Sequence, residues 1–418
     1  MKLLLKSAKI IDSSSPFNNQ IKDILIEDGV IKKIKSNIDN TNAQFEEVKL
    51  DNLHVSQGWF DTSVSFGEPG YEERETIANG LKVAAKSGFT AVAVNPNTNP
   101  ISYTKASIEF LKNKALNFAT NLYPIGSLTV NAESDDIAEL YDMQNSGAIA
   151  FGDYKKSISK ANLLKIALQY AQNFDGLVMS FPNDNSIAQQ GLVNEEVNST
   201  KIGLKGIPAL AEEMQIARDL FILEYTGGKL HIPTISTKKS VELIKKAKKK
   251  GLNVTCSVAA HNLVLTDDEL LNFDANTKVL PPLRTKKDIQ RLRKGVKDGT
   301  IDIITSDHNP IDVEHKKVEY QNAKFGTIGL ESLFGSLTPH LPLATIIEAI
   351  TVQPKKIFNI PINNIEVNNE AELTLFTPEA EYTFSDEDIL STSKNSIFMN
   401  KKMQGKAYGI FSNNKLVL

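Results

Sequence analysis

Three short stretches carry side chains whose types and spacing could support chemistry. The first is Gly58-Trp59-Phe60-Asp61-Thr62-Ser63-Val64-Ser65-Phe66-Gly67-Glu68-Pro69-Gly70. Its β-formers Trp59, Phe60, Val64 and Phe66 predict a strand, ended by the breaker Glu68-Pro69-Gly70. Asp61, Ser63 and Ser65 are two apart, so on a strand they point the same way, one carboxyl and two hydroxyls on a single face. The second is Asp307-His308-Asn309-Pro310, directly after the apolar run that ends at Ser306. A carboxylate at a strand end can hold a metal or move a proton; without a partner ion it is a hydrogen-bonded core acid. The third is Phe151-Gly152-Asp153-Tyr154-Lys155-Lys156, where an acid, a phenol and two lysines follow a short strand.

The other candidates for chemistry read as structural. Six histidines are present: His54, His231, His261, His308, His315 and His340. His231 lies three residues before Thr234 and His308 adjoins Asp307, and such odd offsets turn them to the opposite strand face. The single cysteine, Cys256, excludes an intrachain disulfide and a cysteine-built zinc site. The basic run Lys245 to Lys250 ends a helix before Gly251, where cations meet the helix dipole favourably. Thr266 precedes Asp267-Asp268-Glu269 as a helix cap, and Ser134 with Asp135-Asp136 reads the same way.

The elements that must position these residues fall into two textures. Residues 1 to about 50 and those after about 365 alternate as short antiparallel strands do: Leu3-Leu4-Leu5, Ile24-Leu25-Ile26 and Ile31 to Ile34, with Asp28-Gly29 as a hairpin turn, then Ala371 to Phe376, Ala407 to Phe411 and Lys415 to Leu418. Two such segments at opposite ends of a chain can pair into one small sandwich. Between them strand and helix signals alternate, which predicts a parallel α/β fold. Short strands at 89–94, 122–125, 148–151, 177–180, 230–235, 253–258 and 301–306 bring the count to eight with the first. The predicted architecture is therefore a TIM-type (β/α)8 barrel over residues 55–362, with a β-sandwich from residues 1–54 and 363–418. Pro233, inside the sixth run, is out of place in a strand.

The order of motifs resembles the dihydroorotase family of the amidohydrolase superfamily along nearly the whole chain. The carrying stretches are the first strand, Asn95-Pro96-Asn97-Thr98-Asn99-Pro100, Gly206-Ile207-Pro208 with Ala211-Glu212 and Ala217-Arg218-Asp219, Ser236-Thr237, Pro281-Pro282-Leu283-Arg284, Asp307-His308-Asn309-Pro310, and Gly326 to Glu331. The resemblance implies the barrel-plus-sandwich layout, one or two zinc ions at the barrel mouth, and reversible ring closure of carbamoyl aspartate to dihydroorotate in pyrimidine biosynthesis.

Position by position, the implied chemistry is missing. Ser63 and Ser65 stand where the family has metal-binding histidines. Tyr154, Phe181 and Thr234 stand at the other ligand positions, although a slip of one residue would offer Asp153. Asp307 is the one remaining family acid. Of the substrate contacts, Gly67 replaces an arginine, Leu280 an asparagine and Ile311 a histidine, while Asn97 persists. Lys155 or Lys156 could bridge metals as a carbamate, as in some relatives, yet without histidine partners both read as solvated lysines.

The expectation is accordingly a metal-free, non-catalytic dihydroorotase-like protein that has no cofactor and works as a scaffold or regulatory partner. Resemblance implies a homodimer and an association with aspartate transcarbamoylase. The other reading is an active, divergent dihydroorotase or another cyclic-amide hydrolase. A hydrophobic share of 41%, a charged share of 23% and a net charge of −3 suit a cytoplasmic globular protein and not a nucleic-acid binder. No apolar run is long enough to span a membrane.

Overall fold

The computed structural model describes residues 2–41 and 43–418, so Met1 and Asn42 lie outside the description. Eight parallel strands form the central sheet: Trp59–Val64, Phe89–Val94, Asn121–Gly126, Ala150–Phe151, Leu177–Met179, Lys229–Ile232, Val254–Ala259 and Ile303–Thr305, each beside the next. Helices follow most of them, among them Ile77–Lys86, Ala161–Ala171, Ala209–Thr226, Lys238–Lys249 and Lys286–Lys297. Pro233 falls just past the sixth strand, where no ladder bond is asked of it.

The first and eighth strands close the ring. Val64 bridges His308, and the Ser65 N–H donates to the His308 carbonyl at 2.7 Å. Asp61 bolts the same seam. Its carboxylate accepts from the Ser306 N–H at 2.9 Å, the Ser63 N–H at 3.0 Å and the Thr305 hydroxyl. A register shift between Asp61 and Val64 breaks the two-residue alternation, so Asp61 serves the seam while Ser63 reaches the barrel mouth. Burial pushes the Asp61 carboxyl up, and its hydrogen bonds pull it back. Asp61→Asn keeps the size but sets an amide against donors, and should lower stability by about 2 kcal/mol in a denaturant titration.

Two apolar layers surround the strands. Inside the ring, Phe60, Ala91, Ala93, Ile125, Ala150, Leu177, Met179 and Ile303 pack with Phe358. Outside, Val92, Val94, Leu122, Val178, Leu230, Val254 and Ile304 pack under helical residues such as Leu81, Leu164, Ile216, Val241 and Leu292.

Strands from both chain ends make one further sheet of eight, in the order Lys415–Val417, Lys402–Ser412, Leu373–Thr383, His54–Gln57, Lys2–Ile10, Ile21–Glu27 and Val30–Lys35, with Glu46–Val48 paired to Lys2–Ile10. Leu3, Leu5, Ile24 and Ile26 share a core with Leu373, Leu375 and Phe411. The predicted turn is real: Asp28 and Gly29 have φ of 49° and 80°. His54–Gln57 belongs to this sheet, so the chain passes to the barrel at Gly58, later than the sequence boundary after residue 54. Asp135-Asp136 caps no helix; Asp135 instead pairs with Lys160 on the surface.

Several sequence landmarks meet in two buried polar networks beside the loops after strands five to seven. Arg284 donates to the Ile207 carbonyl and the Asn194 side chain, each at 2.8 Å, and to Ser236 at 3.1 Å. Glu212 accepts from the Ser236 N–H at 2.8 Å, the Thr237 N–H at 3.0 Å and the Ser240 hydroxyl at 2.7 Å. Asp219 joins the Ser180 hydroxyl at 2.6 Å and Arg218 at 2.7 Å. A half-satisfied version of such a network would be costly, so its members act as a set.

Candidate functional site at the barrel mouth

The C-terminal ends of the strands converge on a small cavity lined by Ser63, Asn95, Ile125, Gly152, Asp153, Tyr154, Lys155, Met179, Phe181, Pro233 and Thr234. Its volume is about 30 Å³, room for about two waters. Tyr154 and Phe181 fill much of the mouth from strands four and five. Asp307, 1% exposed, lies behind this lining, bonded to Ser63, Tyr154 and Lys155.

Asp307 is fully engaged. Lys155 Nζ lies 2.8 Å from Oδ2, and that lysine's side chain is only 11% exposed. Oδ1 accepts from the Ser63 hydroxyl at 3.2 Å and the Tyr154 hydroxyl at 3.3 Å. Asn95 donates to Ser63 at 3.2 Å and to Ser65 at 3.4 Å, so the two serines share one amide. Burial pushes the Asp307 carboxyl up, and Lys155, Ser63 and Tyr154 pull it down. Burial, then the Asp307 charge, push the Tyr154 hydroxyl well above its ordinary value, so it stays protonated and donates.

Three residues at the strand ends hold positive φ: Lys155 at 53°, Thr234 at 49° and Asp307 at 52°. For a β-branched threonine this is a true outlier. Strain of this kind persists where the surrounding structure over-determines it, and it clusters at ligand sites. The backbone of the mouth thus has the sharp turns of a ligand-presenting barrel, with non-ligand side chains on two of the three.

Other sequence-nominated residues lie away from the cavity. Gly67 sits in a closed turn, its N–H on the Glu75 carbonyl at 2.9 Å and its carbonyl accepting from Tyr71 at 2.8 Å. A Cβ placed there would stand 1.7 Å from the Tyr71 carbonyl oxygen, so no side chain fits. Leu280 packs beside Ala188, Ile207 and Ala211. Ile311 is buried and lines a separate cleft with Asp312, Val313 and Asn395. Asn97 keeps a buried Oδ1 with no hydrogen-bond partner among the described residues.

Asp153 lines the cavity, but its carboxylate is taken up by strand-three-side donors, accepting from the Ser127 hydroxyl at 2.7 Å and the Thr129 N–H at 3.0 Å. The histidines hold structural posts. His231 bonds Thr255 at 2.9 Å and Ser257 at 3.2 Å, and His308 accepts from the Gly329 N–H at 3.1 Å. Burial pushes His231, His261 and His308 down to about 3, Lys155 adding to the push on His261, so all three are neutral at physiological pH.

Sequence reasoning missed two members of the site. Lys155 was expected in solvent, and Asn95 was not singled out; the Asn95-Pro96-Asn97 motif was its one signal. Lys156 is exposed, as a solvated lysine should be.

Against known proteins, residues 54–240 match the model of a family described as dihydro-orotase-like. A dihydroorotase of Pelotomaculum thermopropionicum is 37% identical, with 100% of this chain and 99% of the relative covered. One from Ruminiclostridium cellulolyticum is also 37% identical over 97% of this chain and 96% of its own. The chain belongs to the dihydroorotase family. Solved structures agree on the fold: an L-hydantoinase from Arthrobacter aurescens superposes with a TM-score of 0.84 at 21% identity, covering 100% of this chain and 97% of that one.

The zinc that this family implies finds no fitting donor set at the mouth. Ser63, Ser65 and Thr234 offer neutral hydroxyls, Phe181 offers nothing, and both Asp307 oxygens already serve other donors. Among the described residues no three His, Cys, Asp or Glu side chains stand together as a metal cage. The arrangement is a buried ion pair inside a hydrogen-bonded lid. Among the described residues, no helix is long and apolar enough to cross a membrane.

Proposed function

We propose that this chain is a non-catalytic member of the dihydroorotase family, a cytoplasmic scaffold or regulatory partner of aspartate transcarbamoylase in pyrimidine biosynthesis. The carrying observation is the Lys155–Asp307 ion pair. It puts a protein ammonium beside the one acid the family's metal chemistry could still use. Three further features support the reading: hydroxyl and apolar groups at the ligand positions, a cavity too small for a ring-sized substrate, and a backbone turn that closes over position 67. Retention of the Arg284–Glu212 and Asp219 networks fits a chain used for its surface and its rigidity.

A second reading, a divergent active dihydroorotase, draws support from full-length relatives of that name at 36–37% identity. The two separate in one assay. Purified protein, incubated with zinc and freed of excess, is expected to carry well under one metal per chain and to give no ring closure of carbamoyl aspartate above the uncatalysed rate. Enzymes of ordinary power exceed that rate by at least about 10⁶-fold. One zinc per chain with robust turnover would hand the argument to the second reading.

A further inference from the structure

Two neighbouring outer helices concentrate the positive charge of this chain. Residues 238–250 hold seven lysines and one acid, and residues 286–298 hold six cations and two acids, in a chain whose net charge is −3. Other outer helices show nothing similar: Ala161–Ala171 has one lysine and Ala209–Thr226 has none.

The helices Lys238–Lys249 and Lys286–Lys297 have twelve residues each, and lysine stands at the first, second, ninth and twelfth position of both. These are Lys238, Lys239, Lys246 and Lys249 on one helix and Lys286, Lys287, Lys294 and Lys297 on the other, all exposed. At the helical period the four positions fall within a stripe about 100° wide. The opposite side of each helix is buried, through Val241, Ile244 and Ala247 on one and Ile289, Leu292 and Gly295 on the other. The helices lie side by side. At one end the Lys238 N–H donates to Asp288 at 2.8 Å, and at the other Lys245 pairs with Asp298 at 2.6 Å. Between these points a Cβ on Gly295 would stand 3.1 Å from Val241, so the helices pack closely. The stripes therefore make two rows of ammonium groups, each about 18 Å long and about 8–10 Å from the other.

Stability of the fold does not account for the rows. Lys245, Lys248 and Lys250 are spent on Asp298, Asp302 and Glu224, whereas among the described residues none of the eight row lysines is ion-paired. A helix dipole favours cations in the last turn, but Lys238, Lys239, Lys286 and Lys287 open their helices, where the dipole opposes them. No exposed large apolar residue lies in either segment. The rows thus offer a nucleic-acid base no ring to stack on and a lipid surface nothing to insert.

We propose that the two lysine rows dock an extended acidic segment of another protein, laid along the seam between the helices. An extended chain rises about 3.3 Å per residue and turns successive side chains to opposite sides. A run of about six acids therefore covers the length of the rows and hands alternate carboxylates to each. Complementary charge of this kind speeds encounter and fixes register. The rows lie on the barrel wall, so the outcome does not depend on whether the mouth is catalytic.

The probe is end-labelled hexaglutamate, titrated with the full chain and followed by fluorescence anisotropy. Saturable binding is expected at low salt, weakened at least about 10-fold when salt is raised from about 50 to about 200 mM. Lys239→Glu, Lys246→Glu, Lys287→Glu and Lys294→Glu together should weaken it at least about 10-fold, with an unchanged circular dichroism spectrum because all four side chains are exposed. Lys82→Glu, Lys112→Glu, Lys201→Glu and Lys402→Glu, exposed elsewhere, change the net charge equally and should cost less than about 2-fold. A peptide of alternating glutamate and serine with the same number of carboxylates should bind at least about 5-fold more weakly, because its extended form turns every acid to one side. Absence of binding, an equal loss in both sets of reversals, or equal affinity for the two peptides would overturn the proposal. So would tighter binding of a short DNA duplex or of vesicles of phosphatidylserine and phosphatidylcholine.

Discussion

Lys155→Met is expected to lower the stability of the barrel by about 3–5 kcal/mol at neutral pH, the range for removing one partner of a buried ion pair. The loss is that of a stranded charge. Asp307 would remain 1% exposed, with only the Ser63 and Tyr154 hydroxyls to answer it. Its carboxyl, already pushed up by burial and held down first by Lys155, would rise further. The sign of the pH dependence follows. A folded-state acid raised above its unfolded value favours the fold below the unfolded value, and that stability is lost as pH rises through the folded one. The variant's deficit should therefore be largest at neutral pH and shrink towards acid, where Asp307 is protonated and needs no cation. Lys155→Met with Asp307→Asn should recover most of the loss, because both charges are gone. Denaturant titrations at several pH values decide it; a flat deficit below about 1 kcal/mol would mean that Lys155 is not the acid's partner.

What the sequence revealed and what it hid divide along a physical line. All eight barrel strands were legible as short β-rich runs, because burial on both faces forces that composition. Pro233 looked like an objection only because strand ends are hard to place to within a residue or two. The motifs around Arg284, Glu212 and Asp219 were legible as landmarks, though their meaning as two buried polar networks needed coordinates. Lys155 was hidden. A lysine after a strand is ordinarily solvated, and nothing local links it to an acid 152 residues away. Gly67 was half legible: the sequence shows a missing side chain, whereas the structure shows the Tyr71 carbonyl standing where one would begin.

Restoring the family residues of the first strand should fail to restore the chemistry, and each substitution should fail for its own reason. Ser63→His and Ser65→His place two rings where about 30 Å³ is open, under a lid already made by Tyr154 and Phe181. Overpacking of this kind costs about 1–3 kcal/mol. The new imidazoles would still lack companions, because Tyr154, Phe181 and Thr234 are not ligands and Lys155 holds Asp307 at 2.8 Å. The double variant is therefore expected to melt earlier than the parent, to retain well under one zinc per chain, and to show no ring closure. Adding Gly67→Arg should be worse than adding nothing. A Cβ 1.7 Å from a backbone oxygen cannot be relieved by a side-chain rotation, so the turn from Gly67 to Tyr71 must open and break its paired backbone bonds. That triple variant should lose several kcal/mol beyond the double or fail to fold. The measurements are elemental analysis, a thermal melt and a ring-closure assay on the same three preparations. Stoichiometric zinc in the double variant, with turnover gained when arginine is added, would mean that the mouth is an active site lacking only a few residues, and the ion pair would then be an incidental filler.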